Sequence, residues 1–65
     1  MKRWNTKLKK EIENKSIDNF LNEINGICKK YNFSITHEDG YGAFQITRYD
    51  ERNEKWLSWA HDLTE

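Results

Sequence analysis

Proline is absent from this chain, cysteine occurs once, and glycine occurs three times in 65 residues. Without proline there is no enforced helix stop and no stiff proline-rich linker. A single cysteine excludes an intramolecular disulfide, and no cysteine or histidine recurs at zinc-site spacing. Neither staple on which small scaffolds rely is therefore present. No apolar run is long enough to span a membrane, and Met1-Lys2-Arg3 is not followed by a signal-peptide core. No membrane association is expected. The unpaired thiol suits a reducing compartment, so the expected location is the cytoplasm. Net charge is also missing, with eleven basic side chains against eleven acidic ones.

What is present is one short domain, residues 1–65, near the lower limit for independent folding. Apolar residues make up 35% of it and charged residues 34%, which leaves a monomer with a thin core. Homo-oligomerisation, as a dimer or tetramer, is the expected remedy. The charges are unevenly placed. In residues 1–15, six basic side chains stand against Glu11 and Glu13, giving +4, and residues 16–65 carry the balancing −4. A basic arm on an acidic body reads either as an anion contact or as a dock for a neighbouring copy. Plain solvation of its lysines is an equal alternative.

Trp4, Leu8 and Ile12 recur every four residues and predict a short first helix within the arm. Ser16 predicts the N-cap of a second helix, with Asp18 in its first turn. Ile17, Phe20, Leu21, Ile24, Ile27, Cys28 and Tyr31 then fall on one face. Cys28 reads as a small buried hydrophobe, Lys29 and Lys30 suit the helix end, and Asn32 suits a left-handed stop. Gly26 sits opposite the apolar face, either on bare solvated helix or at a close approach by another chain. Asp50 predicts the cap of a last helix bearing Trp56, Leu57, Trp59, Ala60 and Leu63, with His61 on it. The expected fold class is α+β, a small antiparallel β-hairpin packed against helices in the order α-α-β-β-α, with 16–65 as the α-β-β-α body.

Between the helices, Phe33 and Ile35 alternate with Ser34 and Thr36, and Phe44 and Ile46 alternate with Gln45 and Thr47. That period of two predicts a hairpin with one buried face. Its turn, His37-Glu38-Asp39-Gly40-Tyr41-Gly42, holds the unusual chemistry. Asp39-Gly40 is a favoured turn dipeptide. Gly42 and Ala43 leave bare backbone flanked by Tyr41 and Phe44, on which a flat ring could lie. Glu38 or Asp39 could accept from a base, Ser34, Thr36 and His37 could hydrogen-bond, and Arg48 could meet a phosphate. The candidate ligand site is thus Ser34, Thr36, His37, Glu38, Asp39, Tyr41, Gly42, Ala43, Phe44 and Arg48. Consecutive His37, Glu38 and Asp39 send side chains to opposite faces, which argues against a metal, and no acid–base partner is assigned. No cofactor and no catalysis are expected.

The segment LNEINGICKKYNFSITHEDGYGAFQI, followed by YDERNEKWLSWA, resembles a widespread set of small phage and prophage proteins. The similarity covers about Phe20 to Ala60. Its most specific part is His37-Glu38-Asp39 with Gly42-Ala43-Phe44, and Tyr41 stands where a serine or histidine is more usual. The set is associated with viral sponge (anti-CBASS) proteins, which sequester the cyclic oligonucleotide signals of bacterial anti-phage defence. The resemblance implies a phage-encoded immune-evasion protein that binds such a signal without catalysis in the infected bacterial cell. A cyclic dinucleotide would match an isologous interface between copies. The competing expectation is a small phage protein that inhibits a host defence or regulatory protein by direct contact. Nucleic-acid binding through the basic arm is disfavoured by the acidic body and the neutral total charge.

Overall fold

The expected first helix is a β-hairpin. In the computed structural model, which describes residues 1–37 and 40–64, β1 (Lys2–Asn5) pairs antiparallel with β2 (Lys10–Glu13). The Asn5 side chain accepts from the Leu8 N–H at 2.8 Å, and the Asn5 carbonyl accepts from the Lys9 N–H at 2.9 Å. Lys9 completes the reversal with φ 54°. An asparagine that bonds to nearby backbone favours a turn over a helix, and here the turn wins. Of the expected helix stripe, Trp4 and Leu8 are 40% and 53% exposed, while Ile12 is half-buried opposite Arg3. The inward residues are instead Arg3 and Asn5, at 2% and 0% exposure. The alternation exists, but polar residues carry it.

These two residues tie the hairpin to the far end of the chain. Arg3 donates to the carbonyls of Ser58 at 3.1 Å and Ala60 at 2.9 Å, and its other terminal nitrogen meets Asp18 at 2.5 Å. Asn5 lies beside Asp62 in a parallel bridge. There the Thr6 N–H donates to the Asp62 carbonyl at 2.9 Å, and the Asp62 N–H donates to the Trp4 carbonyl at 2.8 Å. The fully buried Asp62 carboxylate accepts from Asn14 at 3.1 Å and from the Thr64 hydroxyl and N–H at 2.6 and 2.9 Å. Residues 1–15 are therefore integral to the body rather than a detachable arm. Of their basic side chains, Arg3 is buried and the lysines remain exposed.

α1 (Lys15–Tyr31) begins at Asn14, not Ser16: the Asn14 side chain accepts from the Ile17 N–H at 3.2 Å. Its far end matches expectation, with Asn32 left-handed at φ 59° and ψ 39°. A Cβ on Gly26 would meet nothing within 4 Å, so this position is open. β3 (Phe33–Thr36) and β4 (Gln45–Arg48) pair antiparallel, with Ile35 opposite Ile46. α2 (Glu51–Ser58) is capped by Asp50, which accepts from the Arg52 N–H at 2.8 Å. It ends well before Leu63, because the following residues turn to meet β1, and His61 lies beyond it.

The class is α+β, but the order is β-β-α-β-β-α rather than α-α-β-β-α. Both helices pack on β3, and α2 touches β4 through Asn53, whose side chain donates to the Thr47 hydroxyl at 3.5 Å. Among the described residues Leu21 is the one buried hydrophobe, while Phe33, Phe44 and Ile46 are 45%, 66% and 57% exposed. The hairpin face expected to be buried is thus largely open, with Ile35 half-buried on it, and Ser34 is the fully buried strand residue of this hairpin. No helix among the described residues is long and apolar enough to cross a membrane.

Four carboxylates are held below their ordinary range by partners: Asp18 first by Arg3 and then by the Met1 ammonium, Asp50 by Arg52, Glu54 by the Tyr49 hydroxyl, and Asp62 by Thr64. A depressed folded pKa contributes stability that is fully present above the unfolded value and lost as pH falls through the folded one. The melting temperature should therefore be level above the carboxylate range and fall steeply below it. Asp62→Asn should lower the neutral-pH melting temperature and flatten the acid limb. An acid limb in the variant that parallels wild type would exclude Asp62 as a contributor.

Candidate functional site at the hairpin tip

Residues 37–44 connect β3 to β4 and hold most of the candidate ligand residues. Of these, Glu38 and Asp39 lie outside the described residues. His37 leaves β3 with its ring against Trp56 of α2, centroids 4.4 Å apart and planes tilted by 34°. The helix thereby fixes one root of the tip. Beyond it, Tyr41 is 97% exposed, and Phe44 stands at the entry to β4 at 66% exposure. Aromatic side chains left this open present ring faces that a flat ligand can stack on.

Gly42 has φ 91°. Side-chain-bearing residues rarely adopt that conformation, so backbone geometry alone accounts for the second glycine. The bare surface inferred there for ligand approach therefore has a conformational cause. The structure groups His37, Tyr41, Gly42, Ala43 and Phe44 at the tip by chain continuity, with Thr36 at its base opposite Gln45, and it separates Ser34 and Arg48 from them. Ser34 is 3% exposed, and its hydroxyl accepts the Asp50 N–H at 2.7 Å, joining β3 to the start of α2. Thr36 is half-buried on the same face of the strand. Arg48 is at the opposite end of β4, roughly 10 Å along the strand from Gln45. Its guanidinium lies 5.6 Å over the Phe33 ring.

The concave surfaces among the described residues include two that lie away from the tip. One is a cleft of about 530 Å³ bordered by Lys29, Tyr49, Glu54, Lys55 and Trp59. Within it the Tyr49 hydroxyl donates to Glu54, and Lys29 reaches the same carboxylate at 3.4 Å. The Glu54 carboxylate, with some burial, pushes the Tyr49 hydroxyl up to about 12, so it remains a proton donor. Residues of α1, of α2 and of the segments flanking α2 converge there, and no local sequence pattern announces that. The other is an open apolar groove of about 540 Å³ between α1 and the second hairpin. Its residues come from the apolar face of α1 and the apolar alternation of the strands, both of which the sequence shows. Among the described residues, no three His, Cys, Asp or Glu side chains gather as a metal would require.

Gly42→Val should destabilise the fold by about 2 kcal/mol, on the order of 10 °C in melting temperature, through the positive φ. Gly42→Asn, which tolerates the left-handed region, should recover part of that loss. Equal melting temperatures for wild type and the valine variant would show that the tip has no such backbone requirement.

No protein-family model, no curated protein and no solved structure matches this chain, so the reading of the tip rests on its own chemistry.

Proposed function

We propose that this chain is a non-catalytic binding protein that sequesters a cyclic oligonucleotide defence signal, phage-encoded and acting in immune evasion as an assembly of copies. The observation that carries this reading is the tip, where Tyr41 and Phe44 offer open ring surfaces at 97% and 66% exposure on a segment rooted by the His37–Trp56 stack. Stacking on an aromatic is worth about 1–3 kcal/mol per base and needs no catalytic group. A chain this small cannot enclose a dinucleotide alone, so tips from separate copies would have to face each other across it. A twofold ligand suits a twofold arrangement of tips.

The second reading, inhibition of a host defence or regulatory protein by direct contact, draws support from the open groove between α1 and the second hairpin. Apolar grooves of this kind take up apolar side chains of a partner. The two readings use different residues, so they separate cleanly.

Thermal-shift measurements with cyclic dinucleotides and cyclic trinucleotides, against linear dinucleotides as controls, test the first reading. A sequestering protein should gain about 2.7 kcal/mol of stability at a hundredfold excess of ligand over Kd. Tyr41→Ala should weaken binding by about tenfold or more, measured on variant protein that circular dichroism shows to be folded. If no cyclic nucleotide raises the melting temperature at any concentration, the first reading fails.

A further inference from the structure

We infer that the open apolar groove is a homodimer interface, closed by a second copy of this chain with the two α1 helices packed antiparallel across a twofold axis near Ile27. The inference rests on the assembly part of the functional reading and on nothing about its ligand.

The groove is lined by Ile24, Ile27, Tyr31, Phe33 and Ile46, and Phe20 extends the same helical stripe by one turn. Phe20, Ile27, Tyr31 and Ile46 are 61%, 57%, 59% and 57% exposed. With aromatic side chains contributing about 150–250 Å² each when fully open, this face offers roughly 600 Å² of apolar surface. Ordinary monomer patches reach at most about that size, and a stable interface needs about 800 Å² per partner. The apolar face plus a modest polar rim meets that need. Among the described residues Leu21 is the one fully buried hydrophobe and the other inward apolar residues are half-buried, so closing this face adds substantially to the apolar burial.

Charge placement selects a second copy over an unrelated partner. At 100° per residue, Glu23 and Lys30 lie on the same flank of the stripe, at nearly equal distances to either side of Ile27 along the helix. A twofold axis in the interface, perpendicular to the helices, preserves the flank and reverses the direction. It therefore places Glu23 of each copy against Lys30 of the other, making two opposite-charge pairs by symmetry. Both residues are exposed and neither is used in an ion pair within the chain among the described residues. Zero net charge adds no overall repulsion between copies.

Sedimentation equilibrium without ligand tests this at micromolar concentrations. Wild type should run as two chains. Ile27→Glu should weaken association by on the order of a hundredfold. Leu8→Glu, which makes the same change at an exposed position on the β1–β2 turn, should leave it intact. Glu23→Lys should weaken association several-fold, and the double variant Glu23→Lys/Lys30→Glu should restore it. A monomeric wild type, or a dimer indifferent to Ile27→Glu, overturns the proposal, and so does a double variant no better than the single one. Should Ile27→Glu fail to fold, dilution-dependent NMR shifts of wild type decide instead. Shifts centred on Ile24, Ile27 and Ile46 support the interface, and shifts confined elsewhere overturn it. Because no nucleotide is present, failure here is distinct from failure of ligand binding.

Discussion

Asn5 and Asp62 lie side by side with no solvent exposure, and the backbone on either side of them is cross-bonded at 2.8 and 2.9 Å. Next to this pair, Arg3 spans three elements, reaching Asp18 at the start of α1 and the carbonyls of Ser58 and Ala60 at and beyond the end of α2. The chain's two ends and its long helix are held by polar contacts, where a larger protein would use apolar packing. Such contacts are directional, and a buried donor or acceptor left without a partner costs about 1–3 kcal/mol. The seam thus fixes one arrangement of the hairpin and the C-terminal segment, even with Leu21 as the one buried hydrophobe among the described residues.

A polar seam frees the apolar residues for other work. With the ends secured by hydrogen bonds, the stripe on α1 and the outer face of the second hairpin remain open as a groove. Tyr41 and Phe44 of the hairpin tip stay exposed as well, since the helices pack chiefly on β3. The division gives the molecule a fixed polar side, an open apolar side and an aromatic tip. Function on this view is distributed over surfaces and does not depend on a deep pocket.

Much of the body was legible in the sequence, because its signals are local. The apolar period of α1, the left-handed Asn32, the Asp50 cap and the alternation of β3 and β4 each lie within a few residues of their effect. The first hairpin was not legible. The buried positions of β1 are Arg3 and Asn5, while the four-residue apolar period runs through the exposed Trp4 and Leu8 to the half-buried Ile12 and so imitates a helix. The partners that make those inward residues favourable, Asp18, Ser58, Ala60 and Asp62, are distant in sequence. The same distance hid the role of Ser34, whose hydroxyl reads as a ligand contact until Asp50 is seen to donate to it. At the tip, the second glycine was a real signal, but of backbone conformation.

Amide hydrogen exchange offers the most direct measurement of the seam, because the Thr6 and Asp62 N–H groups bond across it to the Asp62 and Trp4 carbonyls. If the seam holds the fold together, these two amides exchange as slowly as the central amides of α1, through global unfolding. Rapid exchange of Thr6 and Asp62, with α1 still protected, would contradict it and return residues 1–15 to the status of a loose arm.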